Sequence, residues 1–203
     1  MLPTRWLPVC LIVLGLHAAP WKCPAGQMQH WVPKTFPLPE GGASLQACEL
    51  HTDEGVFFFV PPASWSQQFK TQENEISYLS PQNDTCIKFS ITWTKPGELV
   101  PLKSEFLRAY VQTKYPGAKI LEEFPCYTGS QSGIGFQLEQ TSASSKVSLT
   151  RLAFVPFPGG WLEFRLTTAI DLFPKRAQAF STLVSSFRYT PGTNSVPQKA
   201  AAK

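Results

Sequence analysis

The sequence predicts an α+β fold, an antiparallel β-sheet with helices packed on it. Three observations predict it. Cys86–Trp93 (CIKFSITW) sets Ile87, Phe89, Ile91 and Trp93 against Cys86, Lys88, Ser90 and Thr92, the period of a strand with one buried face. Phe173, Ala177, Phe180, Val184 and Phe187 form one helical stripe, which on a single helix is a core contact with a sheet. The signals also run in the order strands, helix, several strands, helix.

The chain has 203 residues, which suits one domain. Hydrophobic residues make up 43% and charged residues 16%, enough apolar material for a core and too little charge for a disordered chain or a coiled coil. The net charge of +4 is spread without a basic stripe, so no nucleic-acid partner is expected.

Residues 1–19 (MLPTRWLPVCLIVLGLHAA) have the outline of a secretory signal peptide. Arg5 supplies the positive start, Leu7–Leu16 the apolar run and Ala18–Ala19 the small residues at the cleavage point. The run is shorter than the ~20 apolar residues of a membrane span. His17 or Leu16 occupies the position that prefers a small residue, which leaves an uncleaved anchor as the alternative. Val9 before Cys10 and Lys22 before Cys23 do not fit a bacterial lipid anchor. The mature chain is expected in the periplasm or outside the cell, with no stable membrane span after cleavage.

Residues 20–44 hold Pro20, Pro24, Pro33, Pro37 and Pro39, then Gly41–Gly42. That density prevents a helix or a central strand and reads as a linker or extended arm, with Trp21 and Trp31 to pin it. The body spans 45–189. Val56–Val60 is a short apolar run read as a buried strand and stopped by Pro61–Pro62, with Trp65 in a turn. Ile76–Leu79 is a second strand and Cys86–Trp93 a third. Pro101–Tyr115 changes to helical period, with Leu102, Phe106, Ala109, Tyr110 and Thr113 on one face, and Pro116–Gly117 ends it. Strands are expected at 118–125, 133–140 and 146–155. Pro156–Gly160 is a turn, and Trp161–Ala169 alternates with Leu162, Phe164 and Leu166 inward. Asp171 is the expected N-cap of the last helix. Residues 190–203 are polar and read as a disordered tail.

This run of signals resembles the PsbP-like superfamily, which includes bacterial DcrB-type proteins. The resemblance covers about 55–189. Its carriers are FFFVPPASW (57–65), CIKFSITW (86–93), LKSEFLRAYVQTKYPGAK (102–119) and RLAFVPFPGGWLEFRLTTAIDLFPKRAQAFSTLVSSFRY (151–189). It implies exported accessory or binding proteins, with a cytoplasmic branch resembling chaperones for secreted effectors. It implies no catalytic motif.

After export four cysteines remain: Cys23, Cys48, Cys86 and Cys126. Two disulfides in any of three pairings, or buried free thiols, both fit. Gly133–Ile134–Gly135 lacks the third glycine of a phosphate loop, and Gln131 stands where a hydrolase elbow needs its nucleophile. Only His30 and His51 could serve a triad, and both sit outside the body that carries the resemblance. Cys48, His51, Asp53 and Cys23 could ligate a metal, but a second closely spaced pair is missing, so a disulfide at Cys48 and a surface His51 is the preferred reading. Glu122 and Glu123 are expected on opposite faces of a strand, and Asp53, Glu54, Glu73 and Glu75 as solvated loop charges. Asn83-Asp84-Thr85 is a glycosylation sequon. The sequence therefore reads as a non-catalytic exported protein with no cofactor and no metal, binding another protein or an envelope component. The runner-up is a chaperone-like domain cradling an apolar helix. Phe157 and Trp161, at the Pro156–Gly160 turn, are the candidate contact residues.

Overall fold

Alternation in Cys86–Trp93 places Ile87, Phe89, Ile91 and Trp93 inside, each at most 6% exposed. The computed structural model describes residues 30–37, 44–70, 75–94, 101–141 and 145–192. The expected signal peptide, residues 20–29 of the arm and residues 193–203 of the tail lie outside the described residues. The strands are β1 (His30–Pro37), β2 (Ser44–Thr52), β3 (Gly55–Phe59), β4 (Ser66–Lys70), β5 (Glu75–Leu79) and β6 (Cys86–Trp93), then β7 (Lys119–Tyr127), β8 (Ser132–Thr141), β9 (Val147–Phe157), β10 (Gly160–Ala169) and β11 (Arg188–Pro191). Helix α1 (Ser104–Lys114) follows β6, and α2 (Phe173–Ser186) follows β10.

Among the described residues all the pairings are antiparallel, in two sheets. One has four strands in the order β1-β2-β3-β11, the other seven in the order β4-β5-β6-β10-β9-β8-β7. The molecule is thus richer in β-structure than one sheet with helices on it. The main core lies between the four-stranded sheet, α2 and one face of the seven-stranded sheet. It takes Phe57 and Phe59 from β3, Ala153, Val155 and Phe157 from β9, Leu162, Phe164 and Leu166 from β10, and Phe180, Leu183 and Val184 from α2. On the other sheet face α1 sets Leu107 and Val111 on Phe136, Leu138, Leu152 and Phe154. Neighbouring residues on β9 therefore serve different cores, as the two-residue period requires.

Several expectations change. Val56–Val60 is not buried throughout: Phe57 and Phe59 point in, while Val56 and Phe58 lie half-buried outside. Strand β1 uses residues that read as an arm, and β2 starts at the last of them, Ser44, and runs through 45–52, a part of the body where the sequence predicts no strand. β1 is an edge strand, where its prolines can sit without breaking a central ladder. The polar β4 is also an edge strand, with Phe69 packed on the core. Thr190 and Pro191, read as tail, belong to β11 beside β3. The buried face of α1 is Leu107 and Val111, flanked by Leu102 and Tyr110. Phe106 is 51% exposed, and Ala109 and Thr113 face solvent. The period was right and its phase was not, because branched aliphatics rather than Phe106 meet the sheet. Asp171 does not cap α2, whose N-cap is Leu172 with no side-chain bond and Pro174 in the first turn. Leu183 joins the expected stripe, while Phe173 and Ala177 are only half-buried.

The β9–β10 hairpin closes through Gly159, whose φ of 101° lies in the left-handed region. Next to it, a Cβ on Gly160 would collide with the Thr92 carbonyl of β6. These two positions fix how β10 enters the sheet.

Phe180→Ala and Leu183→Ala are each expected to lower stability in urea melts, by about 3–5 and 2–5 kcal/mol respectively. Losses below about 0.5 kcal/mol at both, the range of ordinary surface changes, would contradict the docking of α2 on the sheets.

Candidate functional site

The charged residues of β5, β6 and β10 gather on one face of the seven-stranded sheet, beside α1. Register sets Glu75 opposite Ser90, Ser90 opposite Glu163 and Lys88 opposite Arg165. The end of α1 adds Tyr110, Lys114 and the following Tyr115. Glu163 is 4% exposed. Its Oε2 accepts from Lys114 Nζ at 2.6 Å and from the Tyr110 hydroxyl at 3.0 Å, and its Oε1 accepts from the Tyr115 hydroxyl at 3.3 Å. Arg165 donates to the Tyr115 oxygen at 3.2 Å and reaches Glu75 at 3.5 Å. Lys88 donates to Glu75 at 2.8 Å. Burial, and next the Glu163 carboxylate, push the Tyr110 and Tyr115 phenols up.

The space left among Glu75, Lys88, Ser90, Lys114, Glu163 and Arg165 is about 20 Å³, room for roughly one water. Both Glu163 oxygens are occupied by donors from this chain, so the carboxylate is placed to hold α1 against the sheet rather than to take a substrate proton. Glu75 is part of this network. It is a strand residue 13% exposed at its side chain, not a solvated loop charge.

The candidate contact residues separate. Phe157 is 0% exposed. Its ring lies 4.9 Å from Phe57, 5.5 Å from Trp93 and 5.3 Å from Tyr189. It cannot meet a partner, because β9 continues through it and the strand phase that buries Ala153 and Val155 also buries Phe157. Trp161 is half-buried on the other sheet face, against α1, with the Phe106 ring 6.3 Å away. The two residues therefore form no common patch.

The cysteines and histidines also separate. Cys48 points into the main core and His51, three residues on, is on the outer face, bonded to Glu49 at 3.0 Å. No group of three metal-ligating side chains occurs among the described residues. Cys48, Cys86 and Cys126 are free thiols, so no disulfide joins these three, and Cys23 lies outside the described residues. Burial pushes the Cys48 and Cys126 thiols up to about 11, which keeps them protonated and poor nucleophiles at neutral pH. Gly133 and Gly135 lie within β8, and Glu122 and Glu123 are exposed on β7. Glu123 binds Ser104 and Arg108 of α1. Asn83 of the sequon is exposed in the β5–β6 turn.

An open groove lies where the chain leaves β3 and passes α2. It is lined by Val60, Pro61, Pro62, Ala63, Trp65 and, from α2, Lys175, Gln178, Ala179 and Thr182, with a volume of about 370 Å³. Its walls are anchored. The Val60 amide donates to Ser186 Oγ at 2.9 Å, and that hydroxyl donates to the Leu183 carbonyl at 2.8 Å. The Trp65 amide closes a turn on the Pro62 carbonyl at 3.3 Å. Ser64 has a φ of 66°, a left-handed conformation uncommon outside glycine. The guanidinium of Arg176 lies 5.9 Å from the Trp65 ring centre and pairs with Asp84 at 2.8 Å. A hydrogen bond from Ser80, and next one from Arg176, hold the Asp84 carboxyl below the usual range. The sequence signalled only the proline stop and the Trp65 turn. That α2 forms the facing wall is tertiary information.

No family model matches the chain. No curated protein matches it. Solved structures similar to it include cyanobacterial PsbP from Synechocystis, at 13% identity and a TM-score of 0.46, over 83% of this chain and 97% of that one. A Pseudomonas aeruginosa protein of unknown function, PA94, is similar at 18% identity and a TM-score of 0.42, over 75% and 96% of the two chains. A Bacteroides thetaiotaomicron protein is similar at 10% identity and a TM-score of 0.44. That likeness covers 66% of this chain, which spans 45% of the other protein's length.

The buried acids predict alkaline lability. Thiols and phenols ordinarily ionise at 9.0 and 10.0, but burial raises Cys48 and Cys126 to about 11, Tyr189 to about 12, and Tyr78, Tyr110 and Tyr115 upward. The unfolded chain releases these protons first, so the stability they carry is complete below about pH 9 and is lost as pH rises through the folded values. Thermal midpoints should hold from pH 7 to 8.5 and fall from pH 9.5 to 11. A flat profile to pH 11 would contradict the burial of these groups.

Proposed function

We propose that the chain is an exported, non-catalytic accessory protein that binds another protein or an envelope component. The observation that carries this reading is the groove between Pro61–Trp65 and α2. It is open, largely apolar and held in shape by backbone bonds and two prolines, so docking there costs little ordering entropy. The polar network supports the reading from the other side, because its buried carboxylate is saturated by donors of the chain itself. Export rests on the order of charge, apolar run and alanines in residues 1–19. Among the described residues no helix is long and apolar enough to cross a membrane.

A chaperone-like cradle for an apolar helix is less well supported. The apolar face of the seven-stranded sheet is already covered by the four-stranded sheet and α2, and the opposite face holds α1 and the charged network.

Expression of the full chain in a secreting bacterium tests both halves. The mature protein should begin near Pro20 by mass spectrometry and be recovered outside the cytoplasm. Photo-crosslinkers placed at Gln178 or Thr182 should then join it to one partner that the same crosslinker at the exposed Glu122 does not reach. An intact Met1 in the cytosol would sink the export reading. Equal labelling from Glu122 would sink the groove.

A further inference from the structure

The seven-stranded sheet separates two cores of unequal size. The larger ties the four-stranded sheet and α2 to one of its faces. The smaller, on the other face, has as its buried members Leu107 and Val111 of α1 with Phe136, Leu138, Leu152 and Phe154 of β8 and β9. Successive strand residues face opposite ways, so the two cores share strands but no buried side chain. Lifting α1 from its face would therefore break no strand pairing and no contact within the larger core.

The helix is also lightly held. Leu107 and Val111 are its buried residues, and its start has no side-chain cap. Phe106, Arg108, Ala109, Gln112 and Thr113 are exposed. Ser104 and Arg108 bond to Glu123 at the surface, where an ion pair adds little. The far end is held by Glu163, which accepts from Lys114, Tyr110 and Tyr115. These three donors leave together when the helix lifts, and water then reaches the carboxylate they covered. Opening therefore strands no buried charge. Eleven residues are too few for a stable helix alone in water, so α1 unwinds as it leaves. Exposed Pro116 and Gly117 join it to β7.

We propose that α1 is a lid that opens on its own. It lifts from β8 and β9 as one unit while both sheets stay folded, and Glu163 is the latch that keeps it shut. The open form exposes Phe136, Leu138, Leu152 and Phe154, an apolar face that the closed form hides. Regions that open below the global unfolding free energy are units of this kind, with few buried contacts and a boundary that cuts no other element.

Native-state hydrogen exchange of the full chain in low urea reads each opening separately. The amides of Leu107 to Tyr115 should share one protection, at least about tenfold below that of the slowest amides of β9 and β10. Urea should change it only weakly, because little surface is exposed. Ile87→Val deletes one methylene from the larger core, where Ile87 is 0% exposed. It weakens the open and closed forms alike, so it should speed the slowest sheet amides about two- to tenfold and leave the rates of α1 unchanged. Glu163→Gln weakens the closed form alone, so it should speed α1 about tenfold, the scale of hydrogen bonds to a charged group. Equal protection of α1 and the sheets, or equal acceleration of both by Ile87→Val, would overturn the lid. Unchanged α1 rates in Glu163→Gln would overturn Glu163 as its latch.

Discussion

Phe57 holds the two sheets together. Its ring lies 4.8 Å from Tyr189, 4.9 Å from Phe157, 5.6 Å from Phe187 and 6.4 Å from Trp93. Those rings come from β11, β9, the end of α2 and β6, so one side chain of the four-stranded sheet touches its own edge, the last helix and two strands of the other sheet. Aromatic pairs of this kind contribute about 0.5–1.5 kcal/mol each beyond the area they bury. The cluster also sets what else is available. Phe157 is inside because Phe57 and Tyr189 need it there. The Tyr189 hydroxyl donates to the Glu54 carbonyl at 2.7 Å, which ties β11 to the β2–β3 turn and completes the smaller sheet.

The second face of the seven-stranded sheet is organised by charge as well as by apolar contact. Leu107 and Val111 place α1, and Glu163 then fixes its C-terminal end through Lys114, Tyr110 and Tyr115. A buried carboxylate is stable only when paired and hydrogen-bonded, and here the helix provides those partners. Glu75 plays the same part for Lys88 and Arg165 nearer the open side of the sheet. Both faces of the seven-stranded sheet are covered in this way, and the open groove lies at the seam of the sheets, where β3 ends and α2 passes.

Much of this was legible where burial is one-sided. β6 and β10 alternate because one face meets the core and the other meets the charged network, and α2 repeats its stripe because one face meets both sheets. β8 was placed within a residue for the same reason, and β9, buried on both faces from Leu152 to Val155, within two residues by its continuous apolar run. The smaller sheet was less legible. β1 carries Pro33 and Pro37, β2 has little alternation and β11 has four residues, so each depends on its neighbours more than on its own pattern. The phase of α1 was missed because Phe106 looks like a core residue, yet it lies at the rim beside Trp161. The Phe157 and Trp161 pairing failed for a related reason: a Pro-Gly turn suggests exposure, but the hairpin is tight enough to keep β9 in register to Phe157. The polar network was invisible because Glu163, Arg165, Lys88 and Glu75 meet only across strands β10, β6 and β5.

The central claim is that Phe57 couples the two sheets into one cooperative unit. Native-state hydrogen exchange on the wild type and on Phe57→Leu tests it most directly. The account predicts that the slowest amides of β2–β3 and of β9–β10 lose protection by the same free energy, as one unit opening together. Loss confined to β2 and β3, with β9 and β10 as protected as before, would show that the larger sheet stands without the ring cluster and would contradict the account.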